Sequence, residues 1–320
     1  MNRTSLIRIC VAGATALGAG ITGITVAASA QATTAPGASK ASSDHGWVST
    51  GEGMTSGVSG MVVTDRDHDG YDALIVRDNK KPGENRLAKV SVESGKADVE
   101  PLGWTGSETP VDLEAIDEVP GHDDQYIAVA SEGKGYRFDL KRDGAHVRDT
   151  FTLPQIGEGD NFEDFALTSW HGKLTAVWAD RGQDSRLSTL YAARVFLPQD
   201  GRTAFGAVTK QQLKAPYPAK DVRHASDLKI TESGSLLVSS ASDPGDDGPF
   251  DSALYNAGSV SLSRSGAVSL KVAKDPEVLG KFGGHKIEAL ACFPHSTRGV
   301  VGTDDENAGG VLRTASFCER

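Results

Sequence analysis

Positive charge is in short supply along this chain. Lys and Arg number 33 against 43 Asp and Glu, giving a formal net charge of −10. An acidic surface repels nucleic acid and anionic membrane, so neither is expected as a partner. Cysteine is rarer still, with three in 320 residues. A thiolate metal site or thiol nucleophile would need partners that the sequence does not offer nearby. Aromatic residues make up 6%. Trp104, Trp170 and Trp178 fall in separate stretches and form no stripe that suggests a carbohydrate platform. No G-x-S-x-G occurs, no Gly-rich loop is built to cradle phosphate, and no Ser/His/Asp set can be named.

The one long apolar run is at the start. Arg3 and Arg8 precede an apolar, small-residue stretch at 9–26, and Ala28-Ser29-Ala30 offers a cleavage site before Gln31. Residues 1–30 therefore read as a signal peptide and the protein as secreted. The run is broken by Gly and Thr and has no flanking stop-transfer charges, unlike a membrane span. Cys10, after Arg8-Ile9, does not fit a lipid attachment site. The Ala/Thr/Ser/Gly/Pro-rich 31–43 reads as a flexible tail, leaving 44–320 as one domain. Loss of Arg3 and Arg8 with the leader makes the charge −12. Cys292 and Cys318 then remain, an even pair that reads as a disulfide in an oxidising compartment.

What the sequence does have is a repeat. Five tetrads open strands: Val58-Ser59-Gly60-Met61, Leu113-Glu114-Ala115-Ile116, Phe162-Glu163-Asp164-Phe165, Ala225-Ser226-Asp227-Leu228 and Ile287-Glu288-Ala289-Leu290. Successive tetrads are 55, 49, 63 and 62 residues apart. After each, a second strand ends on an acid, at Asp78, Glu132, Asp180, Asp243 and Asp304. A period of that size predicts an all-β, five-bladed β-propeller of four-stranded blades. Residues 97–104 read as the last strand of the first blade, and 257–264 and 267–273 as the last two of the fourth. The fifth repeat lacks a fourth strand, and 47–54 is left over at the other terminus. Pairing that N-terminal strand with the last blade closes the ring and removes an exposed edge.

First strands line a propeller's axis, so Ser59, Glu114, Glu163, Ser226 and Glu288 form an inner ring. Converging glutamates need a compensating charge, and carboxylate and hydroxyl oxygens without His or Cys suit Ca²⁺. The alternative is that the glutamates bond blade backbones or face a water-filled channel. The strand-end acids rim the same mouth. Asp78 and Asp180 are candidate general bases there, with Arg77 and Arg181 to stabilise developing charge and Lys134 to hold phosphate oxygens. Glu132, Asp243 and Asp304 complete the substrate side. His224 and His285 stand just before the fourth and fifth tetrads, where a histidine is more commonly a structural hydrogen bonder. Asp65-Arg66-Asp67-His68-Asp69-Gly70 matches part of a calcium loop, with Asp65, Asp67 and Asp69 as ligands to a second ion. Position twelve is Val76, so it is no EF-hand, and an Asx turn is the alternative.

In these motifs the chain resembles two families. Asp112-Leu113-Glu114-Ala115-Ile116, Lys286-Ile287-Glu288-Ala289-Leu290 and the Gly302-Thr303-Asp304-Asp305-Glu306-Asn307 loop look like the secreted phytase-like propellers, often labelled "esterase-like activity of phytase". The ring order Ser, Glu, Glu, Ser, Glu is similar to that of the calcium-activated nucleotidases, or apyrases, five-bladed propellers with one axial calcium. Asp78 and Arg181 match that family's acid on the first blade and basic position on the third. The resemblance implies a monomeric calcium-dependent hydrolase of a small phosphorylated substrate. Two other expectations stand beside it: a non-catalytic propeller that keeps calcium for stability, and a glycosidase using a pair of axial carboxylates.

Overall fold

The computed structural model describes residues 46–199 and 201–319. The expected leader (1–30) and tail (31–43) lie outside the described residues. Blade I pairs Gly60–Arg66, Gly70–Val76, Leu87–Glu93 and Lys96–Pro101 in antiparallel order. Blade II is built from Leu113–Glu118, Gln125–Ala130, Lys134–Lys141 and Gly144–Thr152. Blade III uses Phe162–Trp170, Lys173–Asp180 and Ser188–Phe196, and both Thr209–Leu213 and Ala204–Phe205 pair with its third strand. Blade IV is Val222–Ile230, Ser235–Ser242, Asp251–Leu262 and Val268–Gly283. Blade V is Ile287–Cys292, Arg298–Thr303 and Gly310–Ser316, and its outer strand is the N-terminal Val48–Gly51. Each inner strand touches the next, and the fifth touches the first, so the ring is closed as the repeat predicts.

The tetrads explain the inner strands. Strict alternation would put a tetrad's first and fourth residues on opposite faces. Instead Leu113 and Ile116 share the core between blades I and II, while Ala115 packs between II and III. Phe162 with Phe165, Ala225 with Leu228, Ile287 with Leu290 and Val58 with Met61 likewise each share one seam. A bulge at the second tetrad residue makes this work. The ladder register shifts between Leu113 and Ala115, Phe162 and Asp164, and Ile287 and Ala289. One extra residue reverses the alternation and leaves the glutamate unpaired, free to turn toward the axis. Five apolar clusters fill the five seams, each joining two neighbouring blades.

The closing blade carries the expected disulfide. Cys292 on its inner strand is bonded to Cys318 beyond its third, with Cα atoms 5.8 Å apart. Two strand expectations change. Residues 97–104 are not one strand: Lys96–Pro101 ends blade I, and Gly103–Thr105 crosses to lie parallel to Gly144–Thr152 of blade II. Glycines make that crossing possible, since a Cβ on Gly144 would lie 2.2 Å from the Gly103 carbonyl oxygen. In blade IV the third strand begins at Asp251 rather than 257, and the fourth runs on to Gly283. The acidic residues around 251 hide a buried run, Ser252-Ala253-Leu254-Tyr255, that the strand needs.

Candidate functional site: an acid and cation cleft on the axis

The second strands return to the face where the inner strands begin, and their connecting loops enclose a cleft of about 400 Å³ on the axis. Glu114, Glu163 and Glu288 of the inner ring line it, as do the strand-end acids Asp78, Asp243 and Asp304. Cations share the space: Lys80, Lys81, Arg181, Arg223 and Lys286. Among the described residues, no aromatic, His or Cys lines it. Ser59 and Ser226 are buried in the wall instead. The Ser59 hydroxyl accepts the Asp78 N–H at 3.2 Å, whereas the Ser226 hydroxyl has no hydrogen-bond partner among the described residues.

Two of the glutamates are tied by cations. Arg223 Nη1 donates to Glu163 Oε1 at 3.0 Å and to Glu288 Oε1 at 2.8 Å. Its Nε and Nη2 both donate to Asp243 Oδ2, at 3.0 and 2.6 Å. Arg181 Nη1 joins Glu163 Oε1 at 3.0 Å, and Lys286 Nζ lies 3.1 Å from Glu288 Oε1 and also holds Glu306. Burial works against the Arg223 charge, but Glu163, Glu288 and Asp243 outweigh it and hold its pKa well above the usual value. Burial likewise opposes the Lys286 charge, and Glu288 and Asp304 more than restore it.

Glu114 is arranged differently. Its carboxylate and those of Asp78 and Asp112 bring oxygens within 4.8 Å of one another, the only such group among the described residues. Lys80 Nζ pairs with Asp112 Oδ1 at 2.9 Å, but the Asp78 and Glu114 carboxylates have neither hydrogen bond nor ion pair among the described residues. Burial and the fields of Glu163, Asp112 and Asp78 push Glu114 well above the usual carboxylate range. Burial raises Asp78 as well. In the same cleft, burial pushes Asp304 up to about 7 against the pull of Lys286, with Asp78 and Glu306 adding to the rise.

Several expected site residues are placed elsewhere. Arg77 is buried, and its guanidinium donates to the backbone carbonyls of Thr55 and Gly57, both at 3.1 Å. That makes it a brace for the N-terminal segment rather than a catalytic group. Asp180 is fully buried, held by Arg186 and by the N–H groups of Asn161 and Gly182. Such a carboxylate has no face left for a substrate. Glu132 and Lys134 line a separate depression with Thr150, Phe151 and Thr152, because the Gly133 turn carries them away from the axis. Lys134 Nζ lies over the Tyr136 ring at 5.4 Å. Asp67 Oδ1 accepts the Asp69 and Gly70 N–H groups at 2.9 and 2.7 Å, the Asx-turn alternative, and Asp65 binds the next N–H. His224 accepts the Ala215 N–H at Nδ1, its Nε2 lies 2.8 Å from the Asp184 carbonyl oxygen, and burial lowers its pKa. His285 lies 2.7 Å from Asp305 and against Trp47. Both histidines are held by these protein contacts.

Sequence reasoning missed Arg223, Lys286, Asp112 and Lys80. A signal existed for two of them. The residue two before each ring position is Gly57, Asp112, Asn161, His224 or Lys286, and Asp112, Asn161 and Lys286 all line the cleft. Gly57 is small for a reason, since a Cβ there would lie 2.3 Å from the Asp304 carboxylate.

No protein-family model matches the chain, and no curated protein matches it. Among solved structures it is similar to the α-L-arabinofuranosidase PaAbf62A from Podospora anserina, solved with cellotriose. That likeness has 12% identity and a TM-score of 0.46, covering 84% of this chain and 96% of the other. A thermostable family-43 glycoside hydrolase is similar at 11% identity and a TM-score of 0.44, covering 81% and 88%. Likeness at this level says nothing about the chemistry of the cleft.

Proposed function

We propose that this chain is a secreted, calcium-dependent hydrolase of phosphate esters or anhydrides, working in the axial cleft. One observation supports the reading: a cluster of three carboxylates, two of them without a hydrogen-bond or ion-pair partner among the described residues, shares a cleft with fixed cations. The donor set fits calcium, because it is all hard oxygen and carries more negative charge than Lys80 offsets. Asp78, Asp112 and Glu114 would hold the ion, which when bound neutralises and polarises phosphoryl oxygens. Arg181, anchored on Glu163, and Lys286, anchored on Glu288, then present N–H groups of fixed direction to a phosphate. Asp304, able to exchange a proton near neutrality, is the base candidate in that cleft. Among the described residues the lining offers no ring on which a sugar would stack. A disulfide fits an extracellular setting.

The glycosidase reading keeps one observation in its favour. Burial and neighbouring acids push Glu114 above the usual carboxylate range beside two other carboxyl groups, the arrangement that paired-carboxylate hydrolysis uses. Phosphate release from nucleotides, phytate and aryl phosphates, in calcium and in EDTA, separates the readings when run beside aryl glycosides. Calcium-dependent release that falls at least a hundredfold in Asp78→Asn is expected. Glycoside cleavage that persists in EDTA would replace the proposal with the second reading. A calcium-dependent rise in Tm without turnover on any substrate would leave a non-catalytic calcium protein.

A further inference from the structure

Three glutamates on an axis call for a positive charge between them, and a side chain supplies one. We infer that the Arg223 guanidinium is the resident axial cation, drawing Glu163 and Glu288 together and confining divalent metal to the Asp78, Asp112 and Glu114 edge. The second half of this inference rests on the calcium reading above; the first does not.

Blades I and IV each put only a serine on the ring, and neither Ser59 nor Ser226 lines the cleft. Blade IV has the largest register break of the inner-strand ladders, between Arg223 and Asp227. That break starts the displaced segment at Arg223, and its side chain reaches the axis in place of the serine's. Nη1 then bridges carboxylates from blades III and V, while Nε and Nη2 grip Asp243 at the end of the blade's own second strand. A planar, permanently charged fork suits this task, and no lysine reproduces both arms of it. Arg223 is only 12% exposed and its bonds are committed to the protein, so it is a positioning residue rather than a substrate contact. Glu163 is 2% exposed and its Oε2 has no partner among the described residues. With the guanidinium gone, the Glu163 and Glu288 Oε1 atoms that Nη1 now bridges would face each other across a buried gap that a cation of similar charge can fill.

Calcium titration by calorimetry, on wild type, Arg223→Gln, Arg223→Lys and the Arg223→Gln/Glu163→Gln double variant, tests this. Arg223→Gln is expected to take up one calcium more than wild type, whether wild type holds one or none. It should be less stable than wild type in EDTA and gain more in Tm from calcium. Arg223→Lys should return to the wild-type count, and the double variant should lose the extra equivalent. Wild type binding no calcium, with the gain still seen in Arg223→Gln, would sink the calcium reading and spare the axial one. A folded Arg223→Gln with the wild-type count would overturn the axial assignment. Glu163→Gln alone covers the case in which Arg223→Gln does not fold. It should leave the wild-type calcium count unchanged, and a lost equivalent would show that metal, not Arg223, occupies the axis.

Discussion

What becomes of a carboxylate inside this propeller is decided by its nearest few ångströms. Glu163 and Glu288 meet cations; Asp78 and Glu114 meet each other and Asp112; Asp227, among the described residues, is hydrogen-bonded by backbone alone. Asp227 is fully buried, with Oδ1 accepting the Leu228 N–H at 2.7 Å and Oδ2 the Leu290 N–H of blade V at 2.5 Å. Burial raises it from 3.8 to about 7 even so, against the pull of Lys229 and those N–H groups. The folded protein therefore holds this proton more tightly than the unfolded chain does. Its contribution to stability is complete below about pH 4 and is lost as pH rises through about 7. A shift of that size is worth on the order of 4 kcal/mol. Asp227→Asn cannot ionise, although its amide cannot accept both N–H groups and lowers stability at every pH. The Tm gap between wild type and variant should thus be widest near pH 4 and narrow steadily to pH 8. A gap that stays constant across thermal scans at these pH values would show that Asp227 does not titrate in this range.

One element repeats with small changes, the bulged inner strand, and its sequence signature is an apolar pair spaced by three. Glu114 provides the cleanest test, because among the described residues it has no hydrogen bond or ion pair to lose. Glu114→Ala keeps the extra residue and removes a carboxyl crowded by Asp78 and Asp112, so its Tm without metal should equal or exceed that of wild type. Deleting Glu114 instead restores simple alternation and forces either Leu113 or Ile116 out of the blade I–II seam. Exposing one such side chain costs about 2–3 kcal/mol, and a slipped strand moves several. The deletion should therefore yield little folded protein; a deletion as stable as Glu114→Ala would show that no bulge is needed. This element also shows what was legible in the sequence. Apolar positions repeat five times because every seam needs them, so blade count, closure and inner ring could all be read. Repetition marks the place of Lys286, two before a ring residue, but not its charge, and it marks Arg223 not at all, since each solves a charge problem of its own blade. Nor could the loss of Asp180 and Arg77 from the site be foreseen, since whether a rim side chain turns outward or into a loop depends on contacts the repeat does not encode.

At the scale of the whole molecule, a ring is only as stable as the seam at which it closes, and here blade V is held by three devices. Val48–Gly51 adds the outer strand, pairing Val48 with Leu312 and Gly51 with Gly310. The Cys292–Cys318 bond ties the inner strand to the chain end across 26 residues of sequence. Glu319, next to that bond, accepts hydroxyls from Ser233 and Ser235 of blade IV, at 3.0 Å from Ser235 to Oε1. Loop-closure entropy for a bond of that span amounts to about 3.5 kcal/mol in the unfolded chain. Glu319 still pins the tail once the bond is gone, and both partners of that clasp are partly exposed, so it recovers only a small part. Cys292→Ser/Cys318→Ser should accordingly unfold several degrees below wild type while keeping the native fold. Hydrogen exchange should quicken first in Gly310–Ser316 and Val48–Gly51, which share the weakened seam, and last in blades II and III. If those two strands keep wild-type protection while Tm falls, the disulfide acts on the unfolded chain alone and the N-terminal strand closes the ring unaided.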